Sequence, residues 1–122
     1  MAKKTEFQDV FQSLRNILLP YSKKLVLKND DANEFYVNTK FIMKNKNPMY
    51  FGSVKINTNY VSFHLMPVYV FPKLIENMSP ELKRRMQGKS CFNFKSIDLT
   101  LFKELTELVK KGYIQYKDSG YL

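Results

Sequence analysis

The chain has one cysteine, Cys91, and one histidine, His64, among 122 residues. A single cysteine excludes an internal disulfide, and one Cys with one His cannot supply the three or four ligands of a zinc site, so no metal site is assigned within one copy. Arginine is scarce as well: 17 of the 20 cations are lysine, and Arg15, Arg84 and Arg85 are the only arginines. Bidentate phosphate and base recognition draws on arginine, so the scarcity ranks nucleic acid below other acidic partners. No long apolar run is present either. The stretch around Leu65 to Phe71 is interrupted by Pro67 and is far shorter than the roughly 20 residues that cross a bilayer. Met1-Ala2-Lys3-Lys4 leads into a polar amphipathic pattern without an apolar h-region, so no secretory signal is expected. The expected compartment is the cytoplasm, with no membrane association.

What the chain does have is apolar mass. Hydrophobic residues make up 44% and aromatic residues 15%, with ten Phe and eight Tyr. That suffices for one domain spanning residues 1–122 to offset its ordering entropy without a metal, cofactor or disulfide. The net charge of +9 directs attention to acidic proteins and anionic ligands.

Phe7, Val10, Phe11, Leu14, Ile17, Leu18 and Tyr21 recur at spacings of three and four, which predicts a helix from about Thr5 to Leu19 ended by Pro20. From Lys24 the period becomes two. Leu25 and Leu27 alternate with Lys24, Val26 and Lys28, a turn follows at Asn29 to Asn33, and Phe35, Val37, Thr39 and Phe41 alternate with Tyr36, Asn38 and Lys40. A second hairpin is predicted from Met49 to Ile56 and Tyr60 to Val70, about the turn Asn57-Thr58-Asn59. Ser79-Pro80-Glu81 reads as a helix start and Gly88 as its end, followed by a short strand from Ser90 to Lys95. The last helix is expected from about Asp98 to Lys111, with Gly112 as its stop. The resulting expectation is an α+β fold: a mostly antiparallel five-stranded sheet with helices packed on one face. Phe11, Leu14, Leu18, Val37, Val54, Val61, Phe63, Leu65, Phe94, Leu105 and Leu108 are the expected core.

Motifs for chemistry are few. Gly88-Lys89-Ser90 resembles the end of a phosphate loop, but Lys83 stands where the first glycine is required, and the tripeptide follows a helix instead of opening one. Cys91 near Lys89 would need a base that only His64 can supply, and a strand cysteine reads more simply as a shielded small hydrophobe. His64 lacks a paired carboxylate in the pattern. The acids Asp30, Asp31 and Glu34 coincide with a hairpin turn and read as a solvated turn.

The most informative constellation is the sheet face opposite the apolar set. If the period of two holds, Tyr36, Asn38, Lys40, Phe51, Lys55, Tyr60 and His64 share that face with Lys24, Lys28, Ser53, Ser62, Asn93 and Lys95. Aromatic rings beside cations and amides suit an acidic protein, an anionic small ligand or a stacked nucleic acid. Arg84, Arg85 and Lys89 form a second candidate anion site at the helix exit.

Three segments carry a family resemblance: Asn47-Pro48-Met49-Tyr50-Phe51-Gly52-Ser53-Val54-Lys55-Ile56, Tyr60-Val61-Ser62-Phe63-His64-Leu65-Met66-Pro67-Val68-Tyr69, and Met86-Gln87-Gly88-Lys89-Ser90-Cys91-Phe92-Asn93-Phe94. Together they resemble the YdhG-like family of small bacterial proteins, over about Glu34 to Tyr116. The resemblance implies a secretion-chaperone-like, two-layer α+β fold. One branch of the family is described as frataxin-like iron chaperones, which implies iron delivery through acidic residues and an exposed sheet. This chain departs from that picture, because 20 cations outnumber 11 acids and the first helix offers only Glu6 and Asp9. The expected function is therefore a non-enzymatic binding or adaptor domain that uses its open basic and aromatic sheet face for an acidic partner or anionic ligand. A frataxin-like iron chaperone is the alternative, and a small enzyme using Cys91 or His64 is the third reading.

Overall fold

The computed structural model describes residues 3–122, with side chains from residue 6 onward. Met1 and Ala2, on which the reading of the chain's start rested, lie outside the described residues. The first helix, α1 (Lys3–Leu18), passes into a 3-10 turn at Leu19–Tyr21 that holds Pro20. Its stripe of Phe7, Val10, Phe11, Leu14, Ile17 and Leu18 is buried throughout, as the spacing requires.

Strands β1 (Val26–Asp30) and β2 (Glu34–Ile42) form the first hairpin. The Asp31 carboxylate closes its turn by accepting the backbone N–H groups of Asn33 and Glu34 at 2.8 and 2.9 Å. Strand β3 (Pro48–Ile56) and strand β4 (Val61–Leu65) form the second, closed by Asn57 N–H donating to the Tyr60 carbonyl at 2.8 Å. The expected strand to Val70 stops at Leu65. From there Met66–Val70 is a short helix, α2, with Pro67 in its first turn. Proline cannot donate to a central ladder, whereas its fixed φ suits a helix start, so the strand ends where Pro67 forces it to.

A 3-10 turn at Pro72–Ile75 leads to α3 (Pro80–Lys83), where the Ser79 hydroxyl accepts the Leu82 N–H at 3.2 Å. The predicted start is correct, but this helix lasts one turn and does not reach Gly88. Instead the chain forms β5 (Met86–Gln87), turns at Gly88 with φ of 82°, and returns as β6 (Cys91–Phe94). Gly88 thus serves a strand turn instead of a helix cap. The sheet has six strands and not five, in the order β1-β2-β3-β4-β6-β5, antiparallel at every pairing.

The last helix, α4 (Leu99–Asp118), starts at Asp98, whose carboxylate accepts the Leu101 N–H at 3.1 Å. It runs straight through Gly112, which was expected to stop it. A Cβ at Gly112 would stand 2.8 Å from the Pro67 Cβ, so that glycine exists to let α4 approach α2. The real stop is Gly120, with φ of 81°. Gly120 N–H donates to the Lys117 carbonyl and Tyr121 N–H to the Tyr116 carbonyl, which is a Schellman closure.

Helices α1 and α4 lie on one face of the sheet, so the α+β architecture with helices on one side is as expected. All eleven residues of the expected core are buried within one apolar cluster. Leu27 was expected to point inward but is 45% exposed. It pairs with the buried Val37 and so does share the inward face, but β1 is the edge strand of the sheet and leaves it in contact with solvent; the register shifts only after it, between Leu27 and Asn29.

Candidate functional site

The sheet face away from α1 and α4 is organised by cross-strand pairing. One row runs Glu34, Lys55, Ser62, Asn93 across β2, β3, β4 and β6, and the next runs Tyr36, Ser53, His64, Cys91, Gln87 on into β5. Small hydroxyls occupy the middle of both rows, and Ser53 and Ser62 are buried beneath the larger side chains around them. Short residues flanked by long ones make a concave floor. The depression measures about 590 Å³, and it opens beside a second one of about 370 Å³ lined by Arg84, Arg85 and Lys95. Tyr60, Gln87 and Asn93 line both and join them into one surface.

Of the seven residues expected on this face, Tyr36, Lys55, Tyr60 and His64 line the depression. Phe51 does not. It is fully buried on the helix side, packed on Tyr116 with ring centroids 5.8 Å apart and edge to face. The cause is an irregularity in β3: Val37 pairs with Gly52 but Asn38 pairs with Tyr50, so Phe51 is the extra residue of a bulge and the alternation reverses there. The reversal brings Tyr50 to the open face, where its ring stacks on Tyr36 at 4.7 Å and its hydroxyl bonds to the Ser53 hydroxyl. Asn38 is only 6% exposed and lies outside the depression. Lys40 is exposed, but it falls between Asn38 and Ile42, where the β2–β3 register breaks, and is likewise outside.

The second candidate group is divided. Arg84 and Arg85 sit beside Tyr60, whereas Lys89 turns away and places its ammonium 6.0 Å above the Tyr69 ring. Lys95, on the alternation of β6, takes its place. The only ion pair among the described residues joins Arg15 to Asp30, at 2.7 Å. Arg84, Arg85, Lys95 and Lys55 are therefore exposed cations without a carboxylate partner.

The structure also places Glu34, Tyr50, Asn57, Gln87 and Cys91 in the depression. Cys91 shares the alternation of Asn93 and Lys95, and that parity was visible in the sequence. Gln87 belongs to a two-residue strand too short for any period, and Tyr50 depends on the bulge.

Cys91 lies opposite His64 in the β4–β6 ladder. Its thiol donates to the Asn93 side-chain oxygen at 3.4 Å, and burial pushes its pKa up. Burial also pushes the His64 pKa down, and burial is the main cause of the raised Tyr50 pKa. At neutral pH these groups are a thiol, a neutral imidazole and a phenol. They make a polar lining of donors and acceptors, not an activated nucleophile with its base.

Among the described residues no three His, Cys, Asp or Glu side chains gather as metal ligands. The turn acids have other partners: Asp30 accepts both Arg15 bonds, Asp31 caps the turn, and Glu34 accepts from the Asn29 amide at 2.9 Å. No helix among the described residues is long and apolar enough to cross a membrane. No protein-family model, curated protein or solved structure matches this chain.

Proposed function

We propose that the protein is a non-enzymatic binding domain whose open sheet face receives an acidic partner or an anionic ligand. The observation that carries this reading is the joined pair of depressions: a floor of small hydroxyls and amides, walls of Tyr36, Tyr50, Tyr60 and His64, and unpaired cations at Lys55, Arg84, Arg85 and Lys95. Helices on the opposite side leave this surface open, and six cross-strand-paired strands hold it rigid. A preformed face loses little conformational entropy on binding, and cations around an aromatic wall favour anions. With a net charge of +9, encounter with a polyanion is accelerated and weakens with salt. The resemblance to the YdhG-like family belongs with this proposal as an implication about the shape of the domain, and it carries no functional residue over to this chain.

The test is amide shift mapping with a glutamate peptide as the probe. Shifts should concentrate on Lys55, Tyr60, Ser62, His64 and Asn93, and a Lys55→Glu, Arg85→Glu double variant should abolish them. Shifts spread evenly over the lysines of α1 and α4 would overturn the assignment.

A further inference from the structure

Where the two depressions meet, the lining changes character. The second depression carries Arg84, Arg85 and Lys95 with no Asp or Glu among its residues, so two of the chain's three arginines face one small cavity. Arginine forks fit phosphate oxygens, and three cations without a carboxylate are an electrostatic vacancy for an anion. Immediately beside them stands Tyr60, half-buried. Tyr36 and Tyr50 stack on one another and Lys28 covers the Tyr36 ring at 5.2 Å, so those rings are already engaged. Tyr60 has neither a ring partner nor a cation over it among the described residues. Neutral polar groups share its two depressions with the cations: Asn93 donates to Gln87 at 2.7 Å and Asn57 donates to Ser62 at 2.9 Å. An acidic peptide needs cations along its whole length, whereas three of this surface's four cations gather at one end and the fourth, Lys55, stands opposite the Glu34 carboxylate across β2 and β3, so the floor of amides and hydroxyls between suits a flat polar ring attached to a phosphate.

Resting on the reading of this face as an anion-binding surface, we propose that its ligand is single-stranded nucleic acid, with phosphates on Arg84, Arg85 and Lys95, one base stacked on Tyr60, and base edges read by Gln87, Asn93 and Asn57. A duplex hides both the base faces and the edges that this floor addresses, so the strand must be single. The small number of arginines, which in the sequence weighed against nucleic acid, matters less than their position, because the fold gathers two of them at the one place where a ring is free.

The experiment is fluorescence anisotropy with a labelled oligouridylate of about twelve nucleotides, a duplex of the same length and a glutamate peptide, at about 50 and about 200 mM salt. The single strand should bind tightest and weaken with salt. Arg84→Ala with Arg85→Ala should weaken it about tenfold and flatten the salt dependence. Tyr60→Ala should weaken it about fivefold or more while Tyr60→Phe retains binding, since stacking needs the ring and not the hydroxyl. Melting curves of the variants establish that these surface changes leave the fold intact. Equal affinity for the duplex or the glutamate peptide, or a neutral Tyr60→Ala, would overturn the proposal. In that event glutamate-peptide shifts on the same face would leave the broader reading standing, and their absence would remove both.

Discussion

His64 is half-buried and its pKa lies below the ordinary 6.5 because burial disfavours the imidazolium. The unfolded chain, with the higher pKa, takes up the proton first as pH falls. Stability therefore declines on acidification from about pH 6.5 down to the folded-state value and levels off below it. Carbon-proton NMR of the single imidazole should show a midpoint under 6.5, and His64→Gln should flatten that limb of the pH-stability curve; an unshifted midpoint would place the ring in solvent. Cys91 follows the same logic with opposite charge. Its thiol is held above its usual pKa by burial and partly enclosed by Asn93, so maleimide should label the native protein more slowly than the unfolded chain. Equal rates would restore Cys91 as a reactive group.

At the scale of elements, α2 and α4 meet through Gly112. Helix propensity alone predicts that Gly112→Ala stabilises α4 by about 1 kcal/mol. The new Cβ would however stand 2.8 Å from the Pro67 Cβ, and a proline ring cannot rotate aside. Overpacking of this kind costs about 1–3 kcal/mol, so the net change should be destabilising. Denaturant melts of Gly112→Ala decide the sign, and a more stable variant would mean that the two helices can separate without loss. Gly120 offers a control just past the C-terminus of α4. No atom lies within 4 Å of a Cβ there, but its φ is 81°, so Gly120→Ala should cost about 1 kcal/mol through backbone strain alone.

The whole molecule has one apolar cluster into which α1, α4 and the inner sheet face all contribute. Unfolding should accordingly be a single transition, with far-ultraviolet and tyrosine signals coincident. Phe63 lies fully buried in the cluster on β4, between β3 and β6, and Phe63→Ala should lower stability by about 3–5 kcal/mol. A loss below about 1 kcal/mol would contradict the strand register.

The apolar periodicities by themselves determined which residues form the core, because a stripe at 3.6 or an alternation at 2 has only one way to leave water, and α1, β2, β4 and the first turns of α4 follow it. They also placed Tyr36, Lys55, Tyr60 and His64 on the open face. Tertiary structure decided the rest, through events with no local period. The β3 bulge exchanged Phe51 for Tyr50, because a single extra residue puts the alternation on its two sides out of phase without altering composition: Ser53 and Lys55 keep the expected face, and Tyr50 before the bulge changes to it. Pro67 and Gly112 belong to one contact between α2 and α4, so neither could be interpreted alone: the glycine that looks like a helix stop is a clearance for the proline. The short strand β5 exists because β6 offers it an edge, and it carries Gln87 to Asn93 and Arg84 and Arg85 to Tyr60. The approach of Arg84 and Arg85 to Tyr60, distant in the chain, is set by packing and strand order, which no run of neighbouring residues encodes.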